Sequence, residues 1–245
     1  HLMSSSALAG LVLALAPASQ AATITWDSAV LIKDVGDAVI STEGSLVTAY
    51  DFGSLYTYNY DKTVNGVIFD HRPYNAVPPG FAEFNNNSNS SLPTDPNGNM
   101  VAHFEELLWG HTNQDAGGDG ISDIELQGLV NGESYLVQFL VHDPRSTGGN
   151  SWDQTFTGGA NTSPALDARD TYSLVGRFVA VGTTQAIRIA DTNGIHDPAP
   201  TGLQNPMISA VQWREVAAVP EPSTFALAAL GLMGLVGLRR RRNKA

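Results

Sequence analysis

Between Ala22 and Glu215 the chain never sustains a long apolar run; short hydrophobic stretches are separated by Gly, Asn, Pro or Asp. Such punctuation breaks a helical stripe and suits strands joined by turns. Strands are therefore predicted over Thr23–Trp26, Ala38–Ser41, Leu46–Tyr50, Gly66–Asp70, Ile121–Leu129, Ser134–His142, Tyr172–Val181, Gln185–Ala190 and Met207–Arg214. Alternation is clearest in Ser134–His142, where Tyr135, Val137, Phe139 and Val141 share one side. In Met207–Arg214, Met207, Val211 and Trp213 share a face while Gln212 and Arg214 point away. Asn131-Gly132 reads as a hairpin turn between the Ile121 and Ser134 strands, and Gly182-Thr183-Thr184 joins two later ones. One stretch departs from this pattern. Val101, Phe104 and Leu108 lie at helical spacing, which predicts a short helix over Met100–Trp109, packed on one end of the sheets. Phe81 to Asn99 is a polar low-complexity loop, and no repeat of solenoid or propeller period is present. The fold class expected is all-β, a two-sheet sandwich closer to a jelly roll than to an immunoglobulin arrangement, filling residues 22–218.

Charge placement excludes several functions. The formal charge is −11, but five of the 13 basic residues sit in the last seven positions. From Ala22 to Ala218, eight basic side chains face 23 acidic ones, a charge of −15. Such a surface repels phosphate backbones and has no basic patch to release counterions, so nucleic acid is not an expected partner. The absence of Cys removes disulfides, thiolate metal sites and cysteine nucleophiles. An acidic, lysine-poor body suits an exported protein or one that binds hard cations.

The two ends read as addresses. Ala7–Ala16 is apolar over the length of a secretory h-region, too short to span a bilayer, and Ser19-Gln20-Ala21 forms a small-x-small cleavage pattern. Residues 1–21 are expected to be a signal peptide whose mature chain starts at Ala22. Its start is read as truncated or misassigned, because His1-Leu2-Met3 supplies no basic residue. At the other end, residues 219–245 open with Val219-Pro220-Glu221-Pro222. An uncharged apolar stretch with a spanning helix expected over 224–238 follows, and then Arg239, Arg240, Arg241 and Arg242. Prolines stop a preceding strand, and an apolar backbone segment is satisfied in lipid only as a helix. Arginines stay with the cytoplasmic leaflet and orient the body outward. Ser223–Leu238 makes about 24 Å of helix, which snorkelling arginines extend across the bilayer.

This package resembles the PEP-CTERM sorting signal of Gram-negative bacteria. The resemblance implies a transient membrane anchor, an exosortase that cuts near Pro220-Glu221-Pro222, and a setting of exopolysaccharide and biofilm. Within the body, Ile124–Arg145 resembles the "strand, Gly-Leu, turn, Gly, Tyr, strand, Asp…Arg" core of galactose-binding-like and malectin-like jelly rolls. Leu174–Ile189 and Ile208–Trp213 fit its closing strands.

Two patterns carry candidate chemistry. Asp115, Asp119 and Asp123 are spaced like a calcium loop, since Ca²⁺ takes six to eight oxygens and Gly120 permits the sharp turn. Gly117 occupies a position where such loops carry another Asp, and Asp123 also fits the solvent face of a strand. Trp109, His111, Asp143, Arg145, Trp152 and Asp153 flank expected element ends, where aromatic faces and polar groups could converge on a glycan. Nucleophile elbows, zinc-protease helices and phosphate-binding loops are absent from the sequence. The expectation is an exported, exosortase-processed surface or matrix protein, structural or adhesive and not an enzyme. The alternatives are a carbohydrate-binding module, with or without Ca²⁺, and a secreted glycan hydrolase.

Overall fold

The computed structural model describes residues 21–32, 39–52, 60–72, 81–82, 112–113, 121–142, 153–167, 170–192 and 206–217. In chain order the strands are β1 Thr25–Trp26, β2 Val30–Leu31, β3 Ser45–Asp51, β4 Lys62–Val64, β5 Val67–His71, β6 Phe81–Ala82, β7 Thr112–Asn113 and β8 Ile121–Gln127. They continue with β9 Ser134–Val141, β10 Asp153–Gly158, β11 Asn161–Thr162, β12 Leu166–Asp167, β13 Tyr172–Val179, β14 Thr184–Asp191, β15 Met207–Ile208 and β16 Ala210–Val216. There is no α-helix among the described residues. The helix expected over Met100–Trp109, the helix expected within the N-terminal signal peptide and the spanning helix expected over 224–238 lie outside them.

Two sheets face each other, as the all-β reading requires. The larger runs β1-β13-β9-β16-β3-β5-β4, with β2 also paired to β13; the smaller runs β11-β10-β14-β8-β6, with β12 on β10. Pairing is antiparallel throughout the described strands except between β3 and β5, which run parallel with Tyr50 opposite Asp70 and Asp51 opposite His71.

The expected inward face of β9 holds: Tyr135, Val137, Phe139 and Val141 all lie in the core between the sheets. Opposite them stand Ile124, Leu126, Phe156, Ile187 and Ile189 of the smaller sheet. Phe139 and Phe156 meet across the two layers with ring centroids 4.7 Å apart, and Trp26 lies against both. Trp213 packs beside Tyr50 at 6.0 Å. Each such side chain removed from water contributes roughly 1.5–3 kcal/mol.

The outer face of the larger sheet is covered too. Ile32, Ile40, Ala49, Val64, Val67, Phe69, Leu140 and Ala210 make a second apolar cluster there. This corrects one expectation and adds to another. The described part of the strand expected over Ala38–Ser41 is not a strand; Val39–Gly44 forms an irregular strap across this face. Gln212 and Arg214 do point away from the main core, as expected, but the strap buries them. Their side chains explain the strap. Gln138 Oε1 accepts from Ser41 N at 3.0 Å, and its Nε2 donates to Val39 O at 2.6 Å. Gln212 Nε2 donates to Ser41 O at 3.0 Å and to Gln138 Oε1 at 2.6 Å. Arg214 donates to the carbonyls of Glu43 and Gly44. A backbone whose polar groups are taken by side chains has no need of a strand partner.

Two turns also differ from expectation. Asn131-Gly132 links β8 to β9, but these strands lie in different sheets, so the turn crosses between layers instead of closing a hairpin. Gly182-Thr183-Thr184 likewise leads from β13 in one sheet to β14 in the other. A hairpin does form at Asn65-Gly66, with Val64 paired to Val67. There both turn residues take positive φ, 49° and 73°, the mirror-type geometry whose twist matches paired strands. At the other site only Gly132 does, at 89°. Finally, Ile208 lies in the main core with Val211 and Trp213, and Ser209 separates the short strand β15 from β16.

Candidate functional site

Of the residues singled out for chemistry, the structure describes Asp123 and Asp153. Asp115, Asp119, Trp109, His111, Asp143, Arg145, Trp152, Pro220, Glu221, Pro222 and Arg239–Arg242 lie outside the described residues. Asp123 stands on the outward face of β8, where Arg188 of β14 grips both of its oxygens at 2.8 and 2.9 Å. With Glu125 and Thr157 they line a surface depression of about 430 Å³ that has no aromatic among its described lining residues. Asp153 begins β10 at the opposite end of that strand. It belongs to an acidic group with Asp167 and Asp170 around Tyr172, whose hydroxyl is pushed up by burial and by those carboxylates. Among the described residues no group of three His, Cys, Asp or Glu side chains could hold a metal ion.

The most unusual chemistry sits where sequence reasoning did not look. Ser173, Leu140, Ala210, Asp51 and His71 stand in register across β13, β9, β16, β3 and β5. The row is apolar in its middle and charged at its β3–β5 end. Lys62 lies on β4 opposite Phe69, which places its side chain on the same face as His71. Lys62 Nζ donates to Asp51 Oδ2, and both side chains are fully buried. His71 Nδ1 is 3.6 Å from the same oxygen, beyond hydrogen-bond reach. Asp51 Oδ1 and both ring nitrogens of His71 are buried without a hydrogen-bond partner. Burial pushes the Asp51 carboxyl above its ordinary range, opposed by His71 and Lys62. Around the trio, Arg72 pairs with Asp70, lies 4.8 Å from the Tyr50 ring and donates from its backbone N to Asp51 O at 2.9 Å.

A signal for this site was present. In Lys62-Thr63-Val64 and Val67-Ile68-Phe69-Asp70-His71, the positions in phase with buried Val64, Val67 and Phe69 are Lys62 and His71. A charged residue in the inward phase of a strand demands a buried partner. The partner's identity is not local, because Asp51 arrives through the parallel β3–β5 pairing.

The tail completes the picture. β16 ends at Val216, inside the larger sheet between β9 and β3. A family model described as the PEP-CTERM protein-sorting motif matches residues 218–242. The motif marks the protein as exported and processed by an exosortase through a membrane-anchored C-terminal signal. No curated protein and no solved structure matches the chain, so the galactose-binding-like resemblance of the body finds no support there. Among the described residues no helix is long and apolar enough to cross a membrane. The expected spanning segment 224–238 lies outside them.

Proposed function

We propose that this protein is a structural or adhesive component of the cell surface or extracellular matrix, with the sandwich as the part that remains after the sorting segment is removed. The observation that carries this reading is the position of the matched motif. The last described strand closes at Val216 and the motif begins at residue 218, so every described strand lies upstream of the cut. Removal of the tail leaves every described member of both core clusters in place. An exopolysaccharide setting follows from the motif's resemblance, and the non-catalytic role accords with the lack of catalytic motifs in the sequence.

The test is export in a Gram-negative host that carries an exosortase. The intact chain is expected to lose its tail and appear outside the inner membrane, whereas a Pro220-Glu221-Pro222→Ala-Ala-Ala variant accumulates as membrane-bound precursor. Identical retention of both forms would overturn the reading. On the exported protein, polysaccharide binding without turnover would move the assignment to a carbohydrate-binding module, and Ca²⁺ calorimetry would show whether that module needs the ion. Turnover lost on a single carboxylate substitution would move it to a glycan hydrolase.

A further inference from the structure

We propose that Lys62 and Asp51 become joined by an intramolecular amide bond, a covalent staple between the end of β3 and the start of β4. Two features of the contact motivate it. The Lys62 ammonium nitrogen touches the Asp51 carboxyl, with both groups sealed from water. As an ion pair this arrangement is poorly compensated, because the second oxygen of Asp51 is buried without a partner. As an amide it carries no charge, and that oxygen becomes an ordinary carbonyl.

The surroundings supply what the condensation needs. Ala49, Val64, Val67 and Phe69 form the apolar cluster on this face, which excludes water and starves the reverse hydrolysis. Nucleophile and electrophile are held together by the strands, so the entropic cost of bringing them together is met by folding. Burial favours the acid form of Asp51, the form that can lose a hydroxyl group.

The step balances without any co-reactant. Proton transfer within the pair gives a neutral amine and a carboxylic acid. The Nζ lone pair attacks Asp51 Cγ and a C–N bond forms. The His71 imidazole, 3.6 Å from Oδ2, takes the surplus proton from nitrogen and hands it to the departing oxygen. The Cγ–Oδ2 bond breaks and one water leaves. The bond fastens β4, which stands at the edge of the larger sheet and is paired there with β5. It does not depend on the function proposed above.

The experiment uses the purified full-length protein, denatured and cleaved after glutamate. Cleavage at Glu43 and Glu83 releases residues 44–83, a peptide that holds both Asp51 and Lys62. The expected peptide is lighter than its sequence by one water and resists trypsin after Lys62. In Lys62→Arg or Asp51→Ala protein it should have full mass, and in His71→Gln protein a fraction should remain unlinked. A wild-type peptide of full mass that trypsin cuts after Lys62 overturns the proposal. A peptide lighter by one water that trypsin still cuts there also overturns it, because the loss then reports aspartate cyclisation. Complete linkage in the His71→Gln variant overturns the relay assigned to His71.

Discussion

At the scale of residues, Glu43 holds Arg177 through both carboxylate oxygens, at 2.9 and 2.8 Å, and so ties the strap to β13. The Arg177 guanidinium keeps the Glu43 carboxyl below the usual range. A carboxyl with a depressed folded-state pKa stabilises the fold above its unfolded pKa, and the contribution fades as pH falls through the folded value. Both side chains are more than a third exposed, so solvent and salt screen the pair. Glu43→Gln should therefore cost at most about 1 kcal/mol in neutral, low-salt urea melts. The difference from wild type should vanish in acid below the depressed pKa. A deficit that persists undiminished in acid would show that the charge is not its source.

At the scale of elements, two glycines with nearly equal φ meet different fates. Gly44 ends the strap at φ 70°, and a Cβ there would lie 2.1 Å from the Glu215 carbonyl oxygen. Gly66 closes the β4–β5 hairpin at φ 73° with open space around it. Gly66→Ala meets only the left-handed backbone penalty, about 1–2 kcal/mol. Gly44→Ala adds a clash with β16 and should cost about 3 kcal/mol or more. Urea denaturation of both variants checks the order; equal losses would mean that the strap does not press on β16. The strap also shows where sequence reading stopped. Val39 and Ile40 look like strand residues, but side chains from distant segments take up the strap's backbone: Gln138 bonds Val39, Asn65 bonds Ile40, Gln212 bonds Ser41 and Arg214 bonds Glu43.

At the scale of the whole molecule, β16 is the strand on which the fold closes. It lies between β9 and β3 and contributes Val211 and Trp213 to the main core. Removal of residues 218–245 should leave the melting midpoint unchanged, whereas ending the chain before Ala210 should abolish cooperative melting. Trp213→Ala should cost about 3–5 kcal/mol in the tailless protein. A lowered midpoint on loss of the tail would mean that the tail packs on the sandwich.

What the amino-acid order determined alone was whatever depends on near neighbours: the sorting segment, the alternation of β9, and a turn at each Val-Asn-Gly. That tripeptide occurs at Val64-Asn65-Gly66 and at Val130-Asn131-Gly132. Gly takes positive φ at both sites, because it lacks the Cβ that opposes it. Only tertiary structure decided that the first turn closes a hairpin and the second crosses between sheets. It also decided that Asp51, Lys62 and His71 meet in one buried cluster. The reason is physical: strand partners are chosen by which faces bury each other, and that choice is made between segments far apart in the chain.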